Sequence, residues 1–206
     1  MNLILFAPEL SLAATAIIVI LLDLATRRKG LLAIISIIGL IVSAGFTIVM
    51  RGTFEGIFYN MLAVDGFAIF FKLLFLGIAG LVILASTDYV AKFAHFQGEY
   101  YALVLLSALG MMLMAATREL ISIYIALELT SISLYVLSGF LKDPKSTEAS
   151  LKYLLLGAIS SAVLLYGMAL VFGSTGQTQL GKIAGVIQGM SLQAVSASPA
   201  LILGIV

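Results

Sequence analysis

The chain has 206 residues, 62% of them hydrophobic and 10% charged, with a formal net charge of +1. Soluble domains are roughly 45–50% apolar and about 25% charged, so this composition predicts an integral membrane protein. The absence of cysteine and the single histidine exclude disulfides, thiolate metal sites and cysteine nucleophiles, and leave little to bind haem or zinc; with no basic run beyond Arg27–Lys29 and no Gly-rich phosphate loop, there is no case for a nucleic-acid partner.

A hydrocarbon core about 30 Å thick takes roughly 20 apolar residues per helix. The first such run, Leu3–Leu24, carries Pro8 and Glu9 ahead of its apolar stretch and has neither the basic start nor the cleavage site of a signal peptide, so it reads as a retained helix. Further spans are expected at Gly30–Met50, Gly66–Ser86, Tyr100–Ala116, Leu120–Phe140 and Thr147–Val171. Between residues 173 and 198, Leu180, Ile183, Ala184 and Ile187 recur at helical spacing, which predicts a short amphipathic helix lying on the outer face. A seventh span opens at Pro199 as SPALILGIV and is too short to cross, so the chain is expected to be an N-terminal fragment. The predicted fold is all-α: a polytopic transmembrane bundle of six complete helices and the start of a seventh. Loops after the first, third and fifth helices hold Arg27, Arg28, Lys29, Lys92, Lys142 and Lys145, against Arg51, Arg118 and Lys182 in the others. Cytoplasmic loops carry the basic excess, which puts the N-terminus outside.

The fifth span contains one charge, Glu128, eight residues beyond Leu120 and therefore about 12 Å into the helix. Insertion of an ionised group at such a depth costs roughly 2.5–3.5 kcal/mol, and residues of this kind mark ion or proton paths. Tyr124, Glu128, Ser131, Tyr135 and Ser138 are spaced 4, 3, 4 and 3, which aligns them in one wettable stripe. Burial and a nearby ammonium act in opposite directions on a carboxyl's proton affinity, a combination that suits proton exchange. The alternative is an acid that hydrogen-bonds a neighbouring helix for packing alone. Lys152, in the antiparallel helix that follows, is a candidate partner; it lies only about 7–8 Å from the helix start, within snorkelling reach of the headgroups. Lys72 follows Asp65 by seven residues, where snorkelling or a local ion pair is expected. His95, in a predicted loop, is expected to be a solvated surface residue.

The stretches VDGFA at Val64–Ala68, EYYALVLLSALGMMLMA from Glu99, LELTSISLYVLSGF around Glu128, STEASLKYLLLGA around Lys152 and SSAVLLYGMAL from Ser160 together resemble the antiporter-like membrane subunits of proton-pumping NADH:quinone oxidoreductase, respiratory complex I. The resemblance runs from about residue 1 to 172, and LELTS followed by EASLKY is its specific part. It implies a fourteen-helix fold with two inverted five-helix repeats, each holding a broken helix. Residues 1–98 would be the N-terminal helices and 99–206 the first part of a translocating repeat. On this resemblance Glu128 matches the essential carboxylate of the fifth helix and Lys152 the lysine of the sixth, while the family's central lysine lies beyond this chain; Lys72 matches no family residue. The implied function is a proton half-channel that couples quinone reduction to proton translocation in a prokaryotic plasma membrane. No cofactor is expected on the chain itself, and NADH, FMN, iron–sulfur clusters and quinone belong to other subunits. Partners would be other membrane subunits of the complex, including related antiporter-like chains, and the lipid bilayer. A multi-subunit cation/proton antiporter, a membrane-bound hydrogenase and a non-transporting membrane scaffold are the alternatives.

Overall fold

A computed structural model describes residues 3–25, 30–53, 55–91, 96–190 and 198–205. A 3-10 turn at Leu3–Phe6 leads into α1 (Ala7–Ala25); α2 spans Gly30–Val49, α3 Gly66–Val90, α4 Gln97–Ala116, α5 Leu120–Ser138, α6 Pro144–Thr175, α7 Leu180–Gly189 and α8 Pro199–Ile205. Helices α1 to α6 are long and apolar enough to cross a membrane, α7 is the amphipathic element expected from the sequence, and α8 opens at Pro199.

Several helices run past the ends that hydropathy assigns, because capping chemistry sets helix ends where hydropathy sees only the oily middle. At α6 the Asp143 carboxylate accepts the Ser146 amide at 2.7 Å and Pro144 occupies the first turn, a start favoured by both a side-chain cap and a preset φ. Its far end is closed by Gly176 at φ 65°, a left-handed position that suits glycine. The 32 residues of α6 span about 48 Å, more than the hydrocarbon alone.

Helix α4 occupies the centre, packed along α1, α3 and α5 and touching α2. Leu12, Val19, Leu32, Ile83, Leu105 and Met112 form the middle of this core. Close approach between α4 and α5 depends on Gly110, where an added Cβ would collide with Thr130 and the Ala126 carbonyl; small residues at crossings are how membrane helices gain packing in lipid. Helix α6 lies on the far side of α5 and also carries α8.

The sequence reading contains no strand, yet the α2–α3 connection forms a hairpin of β1 (Glu55–Ile57) and β2 (Leu62–Val64), with Glu55 opposite Val64 and Ile57 opposite Leu62. Three residues per strand are too few to show alternation. The hairpin is held by neighbours: Leu62 bridges Thr117, and Glu119 bridges Gln179. The Arg118 amide donates to the Met61 carbonyl at 2.8 Å, and the Leu120 amide to that of Thr178 at 3.0 Å. Three connections are thereby knitted into one cap, termed the hairpin face.

Candidate functional site

Helix α5 begins where it does because Glu119 caps it. Its carboxylate accepts the Ser122 amide at 2.8 Å and the Ser122 hydroxyl at 2.9 Å, and the side chain is fully buried. Burial alone would raise this carboxyl, but the Ser122 and Thr178 hydrogen bonds outweigh it and hold it below the ordinary carboxylate range. Two turns further on is Glu128, half-buried, whose Oε1 accepts a hydrogen bond from the Ser161 hydroxyl of α6.

Other members of the stripe also look toward α6. Tyr124 lines an apolar cavity of about 210 Å³ with Leu165, Met168 and Phe172. Tyr135 is buried and sits edge-on to Tyr153 with ring centroids 4.8 Å apart, its hydroxyl filling the space that a Cβ at Gly157 would need. Partner numbers fall along α6 as numbers rise along α5, as an antiparallel pair requires. Ser131 is half-buried, and the Ser138 hydroxyl donates to the Tyr135 carbonyl of its own helix at 2.7 Å.

No ion pair joins Glu128 to Lys152. The lysine is exposed, with Nζ 2.5 Å from Glu148 Oε1, and it lies nine residues before Ser161, a separation of about 13–14 Å along the helix. Because Tyr135 meets Tyr153, residues 144–150 run past the last turn of α5, so the short connection does not bring Lys152 to the level of Glu128. Ser161 was missed in the sequence; its only signal is the polar pair Ser160–Ser161 inside an apolar run.

Lys72 corrects the sequence reading most. It neither snorkels nor pairs with Asp65: its Nζ lies 2.5 Å from Glu9 Oε1, with side-chain exposures of 3% and 2%. In the sequence Glu9 figured only in excluding a signal peptide, although an acid just ahead of an apolar run was the available clue. Asp65 instead caps α3, accepting the Ala68 amide at 2.8 Å, and accepts from Arg118 Nη2 at 2.8 Å. Burial would raise the Asp65 carboxyl, but the Ala68 amide and the Arg118 guanidinium together hold it below its ordinary value. Among the described residues no cluster of three or more histidine, aspartate and glutamate side chains is placed to hold a metal. Arg27–Lys29, Lys92 and His95 lie outside the described residues.

A carboxyl held by one hydroxyl, twelve ångströms or so inside a helix, suits proton exchange, since a serine hydroxyl can donate or accept as the carboxyl changes state. Comparison with known proteins gives the family. Residues 117–206 match the family profile described as NADH:quinone oxidoreductase/Mrp antiporter, TM. NADH-quinone oxidoreductase subunit N of Dehalococcoides mccartyi is 49% identical over 98% of this chain and 42% of its own length. The protein of the same name from Trichlorobacter lovleyi is 47% identical over 90% of this chain and 39% of its own. Among solved structures, a chain of respiratory complex I from Thermus thermophilus with bound aureothin superposes with a TM-score of 0.75 at 31% identity, covering 96% of this chain and 43% of that one. A chain of the membrane-bound sulfane sulfur reductase, an archaeal respiratory membrane complex, superposes with a TM-score of 0.78 over 98% of this chain and 43% of that one; at 24% identity this likeness concerns the fold alone. The chain thus spans about 42% of the length of the first of these relatives. It is a multi-pass membrane protein, and it belongs to the family of antiporter-like membrane subunits of NADH:quinone oxidoreductase.

Proposed function

We propose that the protein serves as a membrane-arm subunit of a proton-translocating NADH:quinone oxidoreductase, in which Glu128 carries the proton. The observation that supports this most is the Glu128–Ser161 contact: an acid well inside a membrane span, held by a neutral hydroxyl and half open. Residues 1–98 act as the supporting N-terminal helices and 99–206 as part of a translocating unit. Tyr135 lies on α5 between the levels of Glu128 and Lys152, and Ser138 lies at about the level of Lys152, so the path runs from Lys152 at one end of α6 past Ser138, Tyr135 and Ser131 to Glu128, with Tyr124 beyond it. Lys152 serves as the cation at the mouth, exchanging between Glu148 and the path.

In this reading the partners are further membrane subunits, including related antiporter-like chains, and NADH, FMN, iron–sulfur clusters and quinone lie on other subunits. The chain resides in a prokaryotic plasma membrane with its N-terminus and hairpin face outside, as the loop charge bias indicates. A subunit of a cation/proton antiporter is the second reading, favoured by the family description, which names both kinds of complex. The test is Glu128→Gln in the complete protein within its complex, scored as proton uptake by inverted vesicles alongside the NADH:quinone rate. Assembly should persist and proton uptake should fall. Wild-type uptake by a fully assembled variant would return Glu128 to a packing role.

A further inference from the structure

Outside the Glu128 site the membrane-spanning core holds a buried acid paired with a lysine. Glu9 on α1 and Lys72 on α3 are both almost wholly buried, although α1 and α3 lie against α2 and α4 rather than against one another. The long lysine arm reaches across the four-helix unit to meet Glu9 Oε1. This leaves Glu9 Oε2, which is buried and has no hydrogen-bond partner among the described residues.

The hydroxyls recorded on the facing stretches of α1 and α2 are already committed. Ser11 and Ser43 both donate to the Pro8 carbonyl, at 2.8 and 2.9 Å. Thr15 donates to the Ser11 carbonyl at 2.7 Å and Thr47 to that of Ser43 at 2.8 Å. Each hydroxyl hydrogen is spent on a backbone carbonyl, so none is offered to the second carboxylate oxygen. A buried polar atom left in this way calls for a donor from outside the protein, a water or a proton.

The pair lies close to the hairpin face. Lys72 is six residues past Gly66, about 9 Å along α3, and Glu9 is in the first turn of α1. A cleft of about 490 Å³ lined by Arg51, Gly52, Gly66, Ile69, Phe70 and Leu73 flanks the same end of α3. Helix α4 separates the pair from Glu128: it packs against α1 and α3 as well as α5, Leu105, Ala108 and Met112 are fully buried apolar residues of it, and its Ser107 hydroxyl donates to the Val104 carbonyl. The pair is therefore not an extension of the Glu128 path.

We propose that Glu9 and Lys72 form a second proton-binding site, loaded from the hairpin face, in which the proton is taken up on Glu9 Oε2. In the loading step a hydronium transfers one proton to the Glu9 carboxylate and leaves as water; the carboxyl becomes neutral and Lys72 keeps its positive charge. Release is the reverse transfer to water. The proposal rests on the reading that the protein translocates protons, and the experiment separates the two. In the assembled complex, Glu9→Gln with Lys72→Met removes both charges while keeping volume, since paired charges can be replaced by neutral groups at little cost where a single removal cannot. The expected result is an assembled complex that lacks an infrared protonated-carboxyl signal, one that wild type and Glu128→Gln both retain and that follows the pH on the hairpin face. A double variant that fails to assemble would make the pair architectural, and one that assembles and keeps the whole wild-type signal would make it inert; either result overturns the proposal. Glu128→Gln is run in parallel: reduced proton uptake there with an unchanged carboxyl signal in the double variant defeats this proposal alone, whereas wild-type uptake there together with that unchanged signal defeats the reading of Glu128 as well.

Discussion

Glu9 and Glu128 both sit inside the membrane-spanning part of this protein, and their surroundings differ. Glu9 lies on α1 and Lys72 on α3, spans that are each 33% buried among the described residues and that pack against α4, whereas Glu128 lies between α5 and α6, spans that are each 11% buried. Glu9 has a lysine 2.5 Å away; Glu128 has a serine hydroxyl. An enclosed carboxylate is tolerated when a cation stands against it, while a half-open one can be held by a neutral hydroxyl. The comparison teaches that depth along a helix is not what sets an acid's surroundings in a membrane. How many helices enclose it, and what they place against it, sets them.

The sharpest way to break this contrast is to remove one member of the enclosed pair. Lys72→Met leaves Glu9 buried without its cation and should destabilise the fold by about 3–5 kcal/mol, read as a lowered midpoint of thermal unfolding in detergent. Glu128→Gln should shift the same midpoint by less than about 1 kcal/mol, because the amide oxygen can still accept from Ser161; equal shifts for the two variants would erase the distinction. Gly110→Val tests the α4–α5 crossing that joins the two regions. Its side chain would meet Thr130 and the Ala126 carbonyl, at a cost of about 1–3 kcal/mol from overpacking, and it should weaken proton uptake by moving α5.

The hairpin face provides a pH test. Asp65 and Glu119 are both held below their ordinary values in the folded protein, so each contributes stability that is present above the ordinary carboxylate values of roughly 3.9 and 4.3. That contribution is lost only as pH falls through the depressed folded values. Protease cleavage at the hairpin should therefore stay constant from neutral pH to about 5 and rise below about 4. Onset of cleavage above pH 5 would contradict the caps. The smallest effect is expected at Lys152→Ala: its exposed bond to Glu148 should contribute no more than about 0.5 kcal/mol, so any marked loss of proton uptake there would come from the path and not from the fold.

The six spans, the amphipathic α7 and the depth of Glu128 were legible in the amino-acid order because each follows from local periodicity and apolar length, quantities that a run of about twenty residues contains by itself. Helix ends were less legible, since Asp143 and Pro144 extend α6 through capping that hydropathy does not register. What only the tertiary structure decided is which residues meet. The hairpin exists because Thr117 and Gln179 belong to segments that the helices bring to the same face, and the partner of Glu128 is Ser161 because α6 overruns the end of α5. Glu9 and Lys72, 63 positions apart in the sequence, become a pair because α2 and α4 hold α1 and α3 at the distance that one lysine side chain spans. Local pattern determines where a helix lies in the bilayer; the relative register and rotation of helices come from packing among residues far apart in the chain, which no local pattern encodes.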